Sequence, residues 1–276
     1  MKITTLGTGG PIPDANRAGP ATLVQANGHD LLFDCGRGVL MRAAAAFSGP
    51  ASLDTVFLTH LHSDHVTDLN DVITMRWVMS MAPNPLRIIG PVGTEQFVER
   101  TMATLSNDIS YRLAHHADLS WRPACEVTEV SNSVVLEHDG LVVRAAPTDH
   151  MPVHPTVGYR VDAGGRSVVI AGDTIPCAGL DSLCEGADAY VQTVVRRSLV
   201  ESFPVQRFLD ILDYHSSIQD AAKTAARNSV KTLVMTHLVP SPPAGTEQEW
   251  ADEAALDFDG KIIVASDLTR IELPKA

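Results

Sequence analysis

The sequence predicts an α/β (α+β) fold: a four-layer αββα sandwich of two mixed β-sheets with helices on both outer faces. Short runs rich in Val, Ile and Leu, bounded by Gly, Pro, Asn or Asp, recur along the chain and read as strands. Helical stretches fall between them, and this mixture is satisfied when two sheets pack together and helices cover the outside. No low-complexity segment or long linker interrupts the pattern. Residues 1–276 therefore read as a single domain with two pseudo-symmetric halves that meet near residue 130. Each half runs strands first, then a strand ending in histidine, then a helix.

The strands expected are 2–7, 21–26, 30–35, 55–60, 86–90, 133–138, 141–147, 156–161, 167–173, 189–194, 232–237, 261–266 and 269–273. "KITTLG" opens the series and runs into the turn "GTGG". The pair "ATLVQA" and "DLLFDC" is joined across "NGHD", which reads as a hairpin turn holding His29. His138 precedes a second turn, Asp139-Gly140, between 133–138 and 141–147. The helices expected are 37–47, 67–81, 93–105, 204–213, 217–228 and 247–257. The third carries Glu95 in its first turn, where a negative charge favours the helix dipole. The fifth, "SIQDAAKTAARNS", is Ala-rich, with Ser217 as its N-cap.

Composition excludes several classes. The chain has 276 residues, is 45% hydrophobic and carries a net charge of −12. The acidic balance argues against a broad nucleic-acid-coating surface but not against a local basic rim. No apolar run approaches the ~18 residues of a membrane span. The N-terminus lacks the apolar core of a secretory signal, so a cytoplasmic location without membrane association is expected. Four cysteines, Cys35, Cys125, Cys177 and Cys184, include no CxxC pair and make no disulfide framework in a chain this long. Cys177, shortly after Asp173, is a candidate for the rim of a site. "GTGG" is followed by no Gly-Lys-Ser/Thr, which excludes a nucleotide P-loop, and no Gly-x-Ser-x-Gly nucleophile elbow occurs.

The chemistry is carried by strand ends. "TVFLTH" ends at His60 and continues through His62, Asp64 and His65. "LVVRAAPTDH" ends at His150, "SVVIAGD" at Asp173 and "TLVMTH" at His237. In layered α/β folds the carboxyl ends of strands are where sites are built. A single such histidine is an ordinary hydrogen-bonded residue. Many imidazoles and carboxylates in one place would stay unsatisfied without cations. Neutral imidazole and carboxylate suit zinc. His60 and His62 are two apart and point the same way in an extended segment. Asp64 and His65 follow as the chain turns into a helix and can face a second metal. His115 and His116 read as a solvated loop.

His-x-His-x-Asp-His followed by distant His, Asp and His resembles the metallo-β-lactamase superfamily. Within it the sequence resembles the ribonuclease Z branch, zinc phosphodiesterases that trim precursor tRNA 3′ ends. The matching segments are "LGTGGPIPDANRAGPATLV", "LLFDCGRGVLMR", "HMPVHPTVGYRVDAGGRSVVIAGDT" and "YHSSIQDAAKTAARNSVKTLVMTHLVP". The resemblance implies two Zn2+ per subunit. His60, His62 and His150 would hold one, Asp64, His65 and His237 the other, and Asp173 both. His154 competes with His150 for the third-ligand place, since both precede "GYR". His150 is favoured because it directly follows the strand, which leaves His154 to line the pocket. His215 matches the position of a histidine near the scissile phosphate, as proton donor to the leaving oxygen, with Asp213 as its orienting partner. Asp64 is the second catalytic candidate, accepting a proton from the attacking water. Arg196, Arg197 and Arg207 form the basic cluster expected near substrate.

The resemblance also implies a homodimer that binds precursor tRNA. Helix 68–81 is a candidate interface, or else packs Trp77 and its methionines into the core. Some features depart from the branch. Asp173 and His215 are only 42 positions apart in sequence number and no tRNA-gripping arm is visible between them. Ser63 replaces a common Gly, and Gln192 stands where many relatives carry Glu. The alternative is an arylsulfatase-like or cyclic-nucleotide phosphodiesterase, acting on a smaller phosphodiester or sulfate ester with the same scaffold.

Overall fold

The structure is a computed structural model and describes residues 1–275. The chain first lays down β1 (Lys2–Gly7), β2 (Ala21–Ala26), β3 (His29–Phe33), β4 (Leu53–Phe57), β5 (Leu86–Gly90) and β6 (Cys125–Glu129). It then builds β7 (Ser133–His138), β8 (Leu141–Pro147), β9 (Val157–Ala163), β10 (Arg166–Ile170), β11 (Ala189–Val195), β12 (Thr232–Val239) and β13 (Lys261–Val264). A last strand, β14 (Thr269–Glu272), returns to the first sheet beside β1. The sheet orders are β14-β1-β2-β3-β4-β5-β6 and β13-β12-β11-β10-β9-β8-β7. Both are mixed. The β3 to β6 pairings are parallel, and so are those from β10 to β13; the remaining pairs are antiparallel.

Strand alternation produces the layers. Phe33, Phe57, Tyr159, Val161, Val168 and Val191 meet between the sheets. Their neighbours face outward. Leu32, Val56 and Ile88 pack under α1 (Val39–Ala45), α3 (Leu69–Met79) and α4 (Thr94–Thr104). Val169, Tyr190 and Leu233 pack under α6 (Ala178–Cys184), α9 (Ile218–Arg227) and α10 (Glu247–Ala254). Phe33 and Phe57 stack at 4.7 Å, and Tyr159 meets Phe57 edge-on at 5.2 Å. Burying each of these rings stabilises the fold by roughly 2–3 kcal/mol. The Tyr159 hydroxyl donates to the Leu58 carbonyl at 2.8 Å, tying the second sheet to the first just before Thr59-His60.

Several elements depart from the sequence expectation. The helix expected over 67–81 is two, a single turn (α2, Ser63–Val66) and α3, because Asp68 is used sideways. Its backbone N–H donates to Cys35 and its carboxylate accepts from Gly38 N–H, which breaks the helical ladder. The helix expected over 204–213 shrinks to α8 (Gln206–Leu209) and a 3₁₀ turn over Asp210–Asp213. Neither buries a side chain, and a short helix without tertiary packing does not propagate. Strand β6 and helices α5 (Ser106–His115), α6 and α7 (Arg197–Val200) were not expected. His115 is the last residue of α5, while His116 lies just beyond it in the solvated loop expected; both are exposed. In α3, Val72, Ile73 and Trp77 face the core, while Met79 and Met81 are exposed. Ser217 caps α9 through a reciprocal capping box with Asp220. No helix among the described residues is long and apolar enough to cross a membrane.

Candidate metal centre

The carboxyl ends of the parallel strands converge at the junction of the two sheets. His60 follows β4, and the chain then extends through His62 and turns into α2, which carries Asp64 and His65. His150 follows β8, and Asp173 follows β10 through Gly172. Gly172 is in the left-handed region (φ 67°), and a Cβ there would lie 2.6 Å from Thr59 Cβ. Only glycine lets these two strand ends approach so closely. His237 does not end its strand, as the sequence suggested. It lies inside β12 at φ 45°, where the pairing with β11 shifts register between Thr193 and Val195. Such a bulge re-aims a side chain without ending the strand. It directs His237 towards Asp64, with its Nε2 3.2 Å from Oδ2.

Two groups of donors result. His60, His62, His150 and Asp173 offer ligand atoms within 4.8 Å of one another, and Asp64, His65 and His237 do the same. Asp173 lies between them: its Oδ2 is 3.8 Å from His60, 3.9 Å from His150, 3.4 Å from His65 and 3.6 Å from His237, each at Nε2. Surrounding groups fix the rings. His60 Nδ1 is 3.0 Å from Thr59 Oγ1, His65 Nδ1 is 2.8 Å from Asp34 Oδ2, and His150 Nδ1 is 2.8 Å from the Tyr214 carbonyl. A hydrogen bond at Nδ1 selects the tautomer whose Nε2 lone pair faces the other donors.

This donor set fits a metal ion. His65 Nε2 and Asp173 Oδ1 are buried without a hydrogen-bond partner, which is costly unless a cation takes their lone pairs. Burial pushes His60 and His62 below the usual imidazole range, and His150 down to about 4, so all three offer neutral nitrogen at pH 7. Burial also works against charge on Asp173, but His237 and His65 beside it outweigh that and hold it well below the carboxylate range. Asp64 is likewise held at about 2, burial being outweighed by the His237 hydrogen bond and the His65 charge. Burial lowers His65 and His237 in turn, yet Asp173, with Asp34 for His65 and Asp64 for His237, raises both. Without metal these two imidazoles therefore hold protons that a cation would displace.

The donors open onto a cavity of about 510 Å³ lined by His62, Asp64, Asp173, His215 and His237 among others. Its walls are apolar, from Pro11, Ile12, Phe208, Ile211 and Val239. His215 Nε2 lies 3.2 Å from Asp173 Oδ2, and its Nδ1 is 2.9 Å from the Ile211 carbonyl. Ile211, not Asp213, orients the ring. Ser63 also lines the cavity.

The residues expected at the substrate lie apart from the donor groups. His154 is exposed and belongs to neither donor group, whereas His150 is buried among them. Arg196 is held by Glu249 and Glu253 at 2.8 and 3.0 Å and lies over Trp250. Arg197 pairs with Glu201 along its own helix at 3.3 Å. None of the three lines the cavity; Arg207 does. Cys177 caps α6, with Sγ 3.9 Å from Thr174 Oγ1, and lies off the rim. Gln192 is a structural amide. It accepts from the Tyr190 hydroxyl and donates to the Thr193 and Gly172 carbonyls, the last at 3.4 Å, bracing the turn before Asp173.

Asp34 went unrecognised as a site residue, although it ends an apolar strand as Asp173 does. It accepts from Thr59 N–H at 2.8 Å as well as holding His65. Asp34→Ala is expected to weaken metal binding by about 10–100-fold, the usual cost of losing a group that orients a ligand. Metal titration of the folded variant measures this, and an unchanged affinity would remove Asp34 from the centre.

Two facing mixed sheets with a His/Asp cluster at their strand ends define a metal-dependent hydrolase of the β-lactamase superfamily. The family model described as "Beta-lactamase superfamily domain" matches residues 29–238. The chain is 56% identical over 275 residues to Ribonuclease Z of Mycobacterium avium, covering 99% of this chain and 98% of that one. Among solved structures, the metallo-beta-lactamase fold protein YhfI of Bacillus subtilis superposes with TM-score 0.74 at 23% identity, over 98% of each chain. The short form of human tRNase Z superposes with TM-score 0.73 at 24% identity, over 99% of this chain and 100% of that one. The chain belongs to the ribonuclease Z family of that superfamily.

Proposed function

We propose that the chain, acting as one hydrolase domain over residues 1–276, is a dizinc phosphodiesterase that cleaves precursor tRNA at its 3′ end. The observation that carries this is the pair of adjoining donor groups on one cavity floor, in a chain aligned over nearly its whole length with a Ribonuclease Z. His60, His62 and His150 would hold one zinc, Asp64, His65 and His237 would hold the other, and Asp173 would serve both. Bound zinc supplies a water-derived nucleophile at neutral pH and neutralises charge on the phosphate oxygens. Asp64 stays ionised, so its second oxygen accepts the proton of the attacking water. His215 Nε2 faces the cavity beside Asp173 and gives a proton to the leaving 3′ oxygen. The products are a 3′-hydroxyl on the tRNA and a 5′-phosphate on the trailer. Arg207 contacts substrate phosphate at the cavity wall. A homodimer in the cytoplasm completes the reading.

The missing arm is one of the features behind the small-ester alternative. The M. avium Ribonuclease Z is matched over 98% of its own length, so it has no room for a long arm either. The deciding assay sets precursor-tRNA cleavage beside hydrolysis of an aryl phosphodiester and an aryl sulfate. Cleavage at the 3′ boundary of the mature tRNA is expected, with loss in Asp64→Ala. Hydrolysis of the small diester with no precursor-tRNA cleavage would overturn the proposal.

The centre also has a pH dependence. His65 and His237 are raised above the usual imidazole value, so protons compete with metal at these two ligands. His60, His62 and His150 are lowered and do not compete near neutrality. Metal affinity therefore rises with pH, and acidification empties the Asp64–His65–His237 site before the other. Zinc titrations from about pH 6 to 8 should show it. An affinity flat across that range contradicts the assignment.

A further inference from the structure

A second His/Asp group lies away from the metal centre. One ring nitrogen of His29, one of His138 and a carboxylate oxygen of Asp139 fall within 4.8 Å of one another. Asp54 Oδ1 is 3.3 Å from His29 Nδ1 and brings a further carboxylate to the group. His138 Nε2 is 3.1 Å from Asp139 Oδ2, and the two imidazole rings are 5.5 Å apart.

The backbone builds this arrangement from two like hairpins, one in each sheet. In the first, Ala26 pairs with His29 across Asn27-Gly28. In the second, His138 pairs with Leu141 across Asp139-Gly140. All four turn residues have positive φ (51°, 87°, 48° and 72°), the signature of a tight two-residue turn matched to strand twist. The turns are fastened together: Asn27 Nδ2 donates to the Asp139 carbonyl at 2.9 Å. Each histidine adjoins its turn, so the bond that holds the turns together also holds the imidazoles together. The group lies at the far end of the sandwich from the metal centre. Asp54 is near the start of β4, while His60 follows its end.

We propose that this cluster is a separate Zn2+ site, in which His29, His138 and Asp139 bind the ion and clamp the hairpins of the two sheets together. Two neutral imidazoles and a carboxylate are a common zinc donor set, and water completes four-coordination at the exposed side. Each imidazole offers one ring-nitrogen lone pair to the ion.

The test is the difference in zinc bound per chain at saturating zinc between the wild type and His29→Ala/His138→Ala. One equivalent fewer is expected in the variant. Weak binding elsewhere, such as at His115 and His116, cancels in the difference. So does the occupancy of the main centre, whatever its own stoichiometry proves to be. Because His138 is exposed, His138→Ala alone guards against misfolding of the double variant, and it should lose the same equivalent. Equal zinc content in wild type and both folded variants overturns the proposal.

Discussion

Asp173→Asn is expected to strip metal from the centre and lower phosphodiester hydrolysis by about 10³-fold or more. The substitution keeps the side chain's shape and removes its charge. Four Nε2 atoms lie within 3.4–3.9 Å of Asp173 Oδ2, from His60, His65, His150 and His237. No other group touches both donor sets so evenly. An amide in its place offers one weaker oxygen donor and turns an NH₂ towards imidazole nitrogens that have no use for it. In the metal-free protein, Asp173 also keeps His65 and His237 charged. Without that anion both imidazoles lose their main reason to protonate, so the variant need not unfold from buried cationic repulsion. Metal analysis beside circular dichroism separates the two outcomes. A folded variant with full metal content and more than about a tenth of the activity would show that Asp173 is no ligand.

The candidate ligands His60, His150 and Asp173 were legible in the sequence because each follows an apolar strand. That signal depends only on local pattern, and it located His60, His150 and Asp173 at strand ends. It misjudged the geometry of His237, because a bulge inside β12 depends on the pairing partner β11. It missed the edge strand β6 because Cys125–Glu129 buries no side chain fully and shows no apolar run. Helix α5 buries only Ile109, too little for a readable stripe. The partners of the expected basic cluster were hidden for another reason. Arg196 looks free in sequence because its partners, Glu249 and Glu253, lie more than 50 residues away on α10. Whether a cation is available is a tertiary property. The same holds for the choice between His150 and His154. Both precede the same strand, and only burial separates them.

His215→Ala is expected to leave metal content intact and lower precursor-tRNA cleavage by about 10²–10⁴-fold, the range of a lost general acid. The ring belongs to neither donor group, yet its Nε2 is 3.2 Å from Asp173 Oδ2. That contact allows two roles, and the leaving group tells them apart. A ribose oxygen leaves badly without a proton, because its conjugate acid is weak. A nitrophenolate leaves without one. If His215 supplies the proton, the variant's loss should shrink to about tenfold or less with a nitrophenyl phosphodiester. If the ring only positions Asp173, both substrates should slow alike and metal affinity should fall with them. The Ile211 carbonyl bears on the choice. It accepts a hydrogen bond at His215 Nδ1, so that nitrogen carries the hydrogen and Nε2 exchanges a proton with the cavity. The geometry therefore favours the proton-donor role, and equal losses on the two substrates would refute it.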